Sequence, residues 1–453
     1  MQPVLKSRAP RRRERPRPSP VVALVSLGCA KNLVDSENLL GDLYARNFRL
    51  ESDPLEADAV IINTCGFIGP AVEETRRTIA EFIEHKRRGR VERVYAMGCY
   101  VSRGAEDLLA SFPGLDGAYS LKEVPKLLAD VAEVYHDRPV TGRLLPAGIR
   151  PVSATLPHTS YLKISEGCSR TCTYCIIPAI RGPNEDKSIE ELVEEARRLA
   201  ARGVKELSLI AQDTTAYGIA RYGRPRLLDL LRELEKVEGL EWLRLLYAYP
   251  DHFPDELADF LVESPKMVKY LELPIQHAAP SVLRRMHRPR TRELYDRLFD
   301  RLRARRPDFC LRTTAIVGFP GESEEEFAEL LDYCATRRFD RLAAFRYCRE
   351  EGTPAARLRD QVPAATAEER HHRIMTRQQE LHLEANQRLV GHDMAFIADT
   401  VSAGGLKASG RTWRDAPEID ARIEVTASFA LRPGTIATCR VSGMKDYDLL
   451  GVL

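Results

Sequence analysis

Cys168, Cys172 and Cys175 fall close together in the phrase Cys-Ser-Arg-Thr-Cys-Thr-Tyr-Cys. Three thiolates at the spacing CxxxCxxC, held in one loop, match a 4Fe–4S cluster with three protein ligands. Such clusters ordinarily take four cysteines, so a missing fourth leaves one iron open to an external ligand. Zinc is the structural competitor, but a structural zinc site wants four protein ligands, commonly with a second CxxC pair. Cys310, Cys334, Cys348 and Cys439 could supply a fourth ligand, yet each falls in or beside a segment expected in the core.

Three further cysteines share a position. Cys29, Cys65 and Cys99 each follow a short apolar run, namely Val21–Leu27, Ala59–Ile62 and Val94–Met97. Runs this short and continuous predict strands buried on both faces, hence a parallel sheet. Ser36–Ala45 and Val72–Lys86 have helical spacing and supply the crossovers. In such sheets the loops after the strands gather along one edge, where ligands bind. Given a favourable strand order, the three cysteines meet at one rim. Buried cysteine is also a common small core residue, but three in the same post-strand position favour ligation.

A regular scaffold is needed to hold the first loop, and the sequence predicts one. After a linker with several Pro and Gly at 138–158, strand-like and helix-like stretches alternate six times. The strands are Ser160–Ser165, Glu206–Ala211, Trp242–Ala248, Tyr270–Pro274, Leu311–Val317 and Arg341–Tyr347. Helices are expected near Ser188–Arg202, Leu227–Lys236, Pro254–Leu261, Ala279–Met286, Arg292–Arg305 and Ser323–Ala335. Six such repeats imply a partial barrel, short of the eight units of a complete one, with its chemistry at the strands' C-terminal ends. A charged helix over 364–387 bridges to short strand-like runs at Ala395–Asp399, Ile423–Ala427, Thr435–Val441 and Leu449–Leu453. Gly- and Pro-containing turns between them predict a small closed β-barrel. The fold class is α/β, in three domains: a parallel α/β domain over 21–140, a partial (β/α)6 barrel with its bridging helix over 155–387, and a small β-barrel over 388–453.

The cysteine phrase, with Tyr174 before its last cysteine and a six-unit barrel around it, resembles the radical S-adenosylmethionine (SAM) enzymes. The resemblance covers nearly all of residues 21–453. Ser26-Leu27-Gly28-Cys29-Ala30-Lys31-Asn32-Leu33-Val34-Asp35-Ser36-Glu37 and Asn63-Thr64-Cys65-Gly66-Phe67-Ile68 look like the N-terminal domain of methylthiotransferases. The C-terminal segment is similar to that family's TRAM domain. Within the family, Leu27–Asp35, Gly410-Arg411-Thr412-Trp413, Asp415-Ala416-Pro417 and Asp446-Tyr447-Asp448-Leu449 resemble the branch that modifies an aspartate of small-subunit ribosomal protein number twelve.

This resemblance implies a SAM-cleaving 4Fe–4S cluster on Cys168, Cys172 and Cys175, and a second 4Fe–4S cluster on Cys29, Cys65 and Cys99. Attaching sulfur to an unactivated carbon is beyond any side-chain base, so cofactors carry that step. Implied SAM contacts are Tyr174, Gln212 after the second strand, and Gly318 and Gly321 in Val317-Gly318-Phe319-Pro320-Gly321-Glu322 after the fifth. Glycines there let backbone approach a ligand closely, although the phrase reads equally as a strand-to-helix turn. Gln276-His277 share that rim, where a His can equally be a hydrogen-bonded wall residue. Lys31, Asn32 and Asp35 either shape the Cys29 loop or cap the helix after it. The basic runs at 86–90 and 284–290 read as solvated faces. Two departures from the family are the acidic Asn184-Glu185-Asp186-Lys187-Ser188, where a basic phrase is usual, and Cys348 in place of Ser. Implied partners are the small-subunit ribosomal protein or 30S ribosome, a flavodoxin-type or similar electron donor, and a sulfur donor. The rival readings are the same chemistry on a tRNA adenosine near the anticodon, and a non-catalytic iron–sulfur redox protein.

Composition narrows these further. The 453 residues carry 68 Lys/Arg and 66 Asp/Glu, a net +2, in which residues 1–20 carry +6 and everything after them −4. That Pro-rich basic tail has too little apolar surface to order itself, and the slightly acidic remainder argues against a large phosphate-gripping surface. No run approaches the ~20 apolar residues of a membrane span. Arg11–Arg13, Val21–Leu27 and Cys29 superficially resemble a lipoprotein leader, but Pro20 breaks the apolar run and Ser26-Leu27 stand in the wrong order, so the chain is expected in the cytoplasm. Residues 388–453 balance eight basic against eight acidic residues. With Asp415, Glu418, Asp420, Asp446 and Asp448 expected exposed in turns, a basic protein suits this barrel better than an RNA backbone.

Overall fold

The computed structural model describes residues 19–135, 150, 153–288 and 291–453. The basic tail up to residue 18 and most of the linker at 138–158 lie outside the described residues. Two compact units emerge, one reaching Ala154 and including Ala179–Arg181, the other comprising Thr155–Pro178 and Gly182–Leu453.

In the first unit, β1 (Val21–Ser26), β2 (Arg49–Glu51), β3 (Ala59–Thr64), β4 (Arg93–Gly98) and β5 (Gly117–Tyr119) form one sheet in the order β2-β1-β3-β4-β5. Every pairing is parallel. Alternation along β3 explains its continuous apolar run. Val60 and Ile62 pack with Ile79 and Phe82 on one face, while Ala59 and Ile61 pack with Leu39, Leu43 and Leu127 on the other. Ile61 and Ile62 are fully buried, worth ~2 kcal/mol each. The edge strands β2 and β5, three residues apiece, are too short to register as apolar runs. Strand order reverses between β1 and β3, and such a switch point opens a crevice at the strands' C-terminal ends. Cys29 and Cys65 follow those two strands.

The second unit begins with β6 (Thr159–Lys163), β7 (Ser165–Glu166) and β8 (Glu185–Asp186), then β9 (Glu206–Ile210), β10 (Trp242–Leu245), β11 (Met267–Glu272), β12 (Cys310–Val317) and β13 (Arg341–Arg346). Six of these make a parallel sheet in sequential order, β13-β12-β11-β10-β9-β6, as a partial barrel requires. The helices Ile189–Ala201 and Glu324–Arg337 each start at a serine N-cap with a complete capping box, Ser188 with Glu191 and Ser323 with Glu326. These satisfy backbone donors that a helix start leaves open. Asp186, in the unexpectedly acidic phrase, accepts the N–H groups of Gly218 and Ala220 at 3.0 Å each.

A closed barrel follows, built from β14 (Asp393–Val401), β15 (Lys407–Thr412), β16 (Ile423–Thr426), β17 (Ile436–Lys445) and β18 (Asp448–Val452) in the order β14-β15-β16-β18-β17. The sequence missed β15, whose Lys-Ala-Ser-Gly-Arg-Thr carries no apolar alternation. Two of the carboxylates expected in solvent are buried. Asp415 accepts from Arg341 and from the Thr412 hydroxyl, each at 2.6 Å. Asp420 accepts from the Tyr270 hydroxyl at 2.8 Å and lies 3.6 Å from Arg312. Arg411 meets Glu206 at 2.5 Å and grips Asp399 at 2.8 and 3.0 Å. Arg414 pairs with Asp340, and Arg244 donates to Glu206 and to the Trp413 carbonyl. Glu206 and Arg341 open their strands, so the small barrel packs on the sheet end remote from the cysteine loop. The barrel charges named here meet opposite charges on the sheet, as buried charges must be paired. Glu418 and Asp446 are exposed as expected. Among the described residues no helix is long and apolar enough to cross a membrane.

Candidate functional site

The loop after β6 is clamped at its base. β7 and β8 pair across it, and the Cys168 N–H bonds the Gly182 carbonyl at 3.0 Å. Gly167 sits at φ +71, and a Cβ there would lie 2.1 Å from the Pro183 carbonyl oxygen. Glycine is therefore required. Thr173 is fixed from three sides: its N–H donates to Met286, its carbonyl accepts from Ala355, and its hydroxyl donates to the Arg285 carbonyl. The Arg170 N–H points at Cys168 Sγ at 3.5 Å, and Arg288 Nη1 reaches Cys172 Sγ at 3.9 Å. Burial pushes the Cys175 thiol up to about 12, against the Ile177 N–H and the Arg288 charge, and raises Cys168 as well. A metal must displace these protons, and the N–H donors aimed at sulfur favour the thiolate it binds.

The other predicted residues of this rim differ in their surroundings. Tyr174 packs against an apolar cluster with Phe319 and Met286. Gln212 is half-buried beside Asp213, a buried carboxylate that accepts from Arg170 and from the Thr215 hydroxyl. Gly318 and Gly321 both have φ +73, but a Cβ on Gly318 would lie 2.6 Å from the Ala367 Cβ, whereas Gly321 meets nothing closer than Arg285 at 3.7 Å. Packing of the helix Ala364–Gln387 thus already accounts for Gly318. Glu322 accepts the Gly318 and Phe319 N–H groups and pairs with Arg370. His277 is fully buried, accepts the Ala279 N–H on Nδ1 and faces Glu322 at 3.5 Å, so it is a wall residue. In the run 284–290, read as solvated, Arg288 is buried. Cys310, Cys334 and Cys439 are buried, while Cys348 is only partly covered.

In the first unit, the helix Ala30–Ala45 begins directly after Cys29, earlier than its apolar spacing indicated. Lys31 and Asn32 are buried in its first turn. Asn32 ties the rim together: its amide donates to the carbonyls of Leu27 and Thr64, and its oxygen lies 3.5 Å from Cys99 Sγ. Arg181, part of this unit, donates to the same oxygen at 2.5 Å. Gly28, at φ +93, leaves no room for a side chain, since a Cβ would stand 2.9 Å from Cys65 Sγ. Cys29 is an exposed residue, and although crowding of its sulfur would push the thiol up, the Lys31 charge, the N–H groups of Asn32 and Lys31, and Arg181 bring it below its ordinary value. Cys99 is pushed up to about 11, chiefly by burial and partly by the neighbouring Cys29 and Cys65, with Arg181 opposing. The three thiols thus lie within electrostatic reach of one another.

All six cysteines are free thiols. Among the described residues no three His, Cys, Asp or Glu side chains converge tightly enough for a single ion.

Residues 21–119 match the Uncharacterized protein family UPF0004, residues 162–334 the Radical SAM superfamily, and residues 390–453 the TRAM domain. The Ribosomal protein uS12 methylthiotransferase RimO of Pelotomaculum thermopropionicum is 44% identical over 436 residues, which cover 95% of this chain and 98% of that protein. The chain belongs to the RimO family of radical SAM methylthiotransferases. The RimO of Geobacter sulfurreducens is 41% identical, covering 95% of this chain and 98% of its own length. Among solved structures, the radical SAM methyltransferase TsrM from Kitasatospora setae, with tryptophan and a SAM analog bound, shares the fold at a TM-score of 0.56. Its identity is 16%, and the match covers 80% of this chain and 89% of TsrM. As a RimO-family methylthiotransferase, the chain is an enzyme that uses a 4Fe–4S cluster and SAM.

Proposed function

We propose that this enzyme adds a methylthio group to the β-carbon of an aspartate in the small-subunit ribosomal protein uS12. The observation that carries the reading is full-length similarity to enzymes named for that substrate, joined to two cysteine sets, each on the C-terminal edge of a parallel sheet. Cys168, Cys172 and Cys175 hold the cluster that binds SAM, and Cys29, Cys65 and Cys99 hold a second 4Fe–4S cluster. When bound, the clusters and SAM supply the hydrogen abstraction, the sulfur and the methyl group. The chain's own part is positional. Gly167, Thr173 and the β7–β8 ladder fix the first cysteine loop, Asn32 fixes the second rim, and Tyr174, Gln212, Gly318 and Gly321 contact SAM. The domains follow 21–140, 155–387 and 388–453, and the reaction takes place in the cytoplasm, with a flavodoxin-type or similar electron donor and a sulfur donor.

The tRNA reading gains nothing from the C-terminal barrel. With Arg411, Arg414, Asp399, Asp415 and Asp420 engaged by the sheet, its remaining charges stay nearly balanced, and RNA affinity rests on phosphate neutralisation. Anaerobically reconstituted protein is expected to hold about eight irons, the sum for two four-iron clusters. Changing Cys168, Cys172 and Cys175 to Ala halves the iron and abolishes SAM cleavage. Changing Cys29, Cys65 and Cys99 halves it but leaves SAM cleavage measurable, and full iron in that variant would overturn the N-terminal ligand set. Mass spectrometry of uS12 and tRNA from a strain lacking the gene decides the substrate: an unaltered uS12 mass with altered tRNA sinks the aspartate reading.

A further inference from the structure

Arg288 is 4% exposed, in a basic stretch whose pattern placed it in solvent. A guanidinium keeps its charge and presents five N–H donors in a rigid fork. One arm, Nη2, donates to the Pro274 carbonyl and the Tyr295 hydroxyl, each at 2.8 Å. The other, Nη1, reaches Cys172 Sγ at 3.9 Å and the Tyr174 hydroxyl at 3.4 Å. The central carbon lies 4.2 Å from the centroid of the Tyr249 ring, and that ring also carries Arg170 at 4.0 Å. Two cations on one ring repel each other. Arg170 is balanced by Asp213 and Asp251, and Arg288 brings a permanent positive charge against a ligand sulfur. A cation that close favours negative charge on the group it touches.

We propose that Arg288 is an electrostatic positioning residue of the Cys168, Cys172 and Cys175 centre, its buried positive charge making one-electron reduction of the cluster easier. The inference rests on the reading that these cysteines hold a 4Fe–4S cluster. Potentials of such clusters follow net charge, hydrogen bonds to sulfur and burial. A cation donating to a ligand sulfur favours the form with one more electron, and a low local dielectric strengthens the effect. Pro274 and Tyr295 aim the fork, and the Tyr249 ring offers the face a cation prefers.

The test uses the full-length chain with Cys29, Cys65 and Cys99 changed to Ala, so that one cluster is read. It is reconstituted anaerobically and titrated with dithionite and redox mediators, the reduced fraction being followed by electron paramagnetic resonance. Arg288→Met is expected to lower the reduction equilibrium constant at least tenfold, a midpoint about 59 mV more negative for a one-electron couple. Arg288→Gln, which keeps a donor but loses the charge, follows the same course, while Arg288→Lys stays within threefold of the parent. If Arg288→Met does not fold, the Gln and Lys variants decide alone. A charge-removing variant that keeps its iron and titrates within twofold of the parent overturns the proposal. Absence of iron in the parent itself overturns the cluster assignment instead, so the two failures are told apart.

Discussion

Replacing Arg411 by Met is expected to loosen the C-terminal barrel from the six-stranded sheet by ~3 kcal/mol. Arg411 is 4% exposed, and its three contacts run to Glu206, which is fully buried, and to Asp399. Removing one partner of a buried ion pair costs ~3–5 kcal/mol, because the other charge is left without compensation. Here each carboxylate keeps a second partner, Arg244 for Glu206 and His158 for Asp399, both at 2.9 Å. The lower end of the range therefore applies, roughly a hundredfold in the equilibrium. The chain contains two tryptophans, and both report on this junction. Trp242 pairs in register with Glu206, and the Trp413 carbonyl accepts from Arg244. Urea titration of the full chain by tryptophan emission reads the loss directly. Burial alone would raise Glu206, but the charges and hydrogen bonds of Arg411 and Arg244 hold it below the ordinary carboxylate value. Asp399 is likewise raised by burial and lowered further by His158 and Arg411. Carboxylates lowered in the folded state add stability that is present above their unfolded pKa of about 4 and lost as pH falls through the folded value. The gap between the parent and Arg411→Met should then be widest near neutrality and close in acid. A gap under about 1 kcal/mol at neutral pH, the size of an exposed pair, or one that widens on acidification refutes the reasoning.

Three other outcomes follow from the geometry. Gly167→Ala must shift backbone at the loop's base and should cost about half the iron, whereas Gly203→Ala, also at positive φ but with nothing within 4 Å of its Cβ, should keep it; equal iron in the two would remove the clash as the cause. Gly318→Ala should lower thermal stability by ~1–3 kcal/mol through overpacking, and adding Ala367→Gly should relieve the clash but not the strain of a side chain at φ +73. If SAM affinity stays low in that double variant, Gly318 serves the cofactor as well as the packing. A chain ending at Gln387 should bind the dye ANS and aggregate, since Arg244, Arg312 and Arg341 lose partners in the C-terminal barrel; a truncated chain that stays folded and cleaves SAM would show the barrel to be an independent appendage.

Most of the scaffold was legible because its signals are local. Apolar runs ending at cysteine gave β1, β3 and β4, and six alternations placed β6 and β9–β13 within a few residues. Strand order was not legible, because a single sequence carries no pairing information, and on that order depends whether Cys29, Cys65 and Cys99 can share a rim. Buried charge was the other blind spot. Asp415 and Asp420 sit among turn-forming residues, where polarity ordinarily means solvent, and Arg288 sits in a basic run. Their partners are far away in sequence: Arg341 is 74 residues from Asp415, and Tyr270 is 150 from Asp420. The role of Asn32 was half visible, since its place beside Cys29 suggested a loop function but its bonds to Thr64 and its contact with Cys99 required the folded sheet.

The pairing of Arg411 with Glu206 spans 205 residues, and this bears on how the enzyme is born. Chains grow at ~5–20 residues per second, so Glu206 leaves the ribosome roughly 10–40 s before its partner is made. Through that interval the sheet that carries Cys168, Cys172 and Cys175 has an unfinished floor, with carboxylates and guanidiniums awaiting counter-charges from the last strands. Closing so long a loop late makes the sheet's completion a post-translational event. The cysteine loop is among the earlier parts of this unit to be synthesised, and its own supports, which end at Ala355, precede the barrel that closes the far end of the sheet. Nascent chains stalled at residue 387 should accordingly be cut by protease across the sheet, and chains released at full length should not.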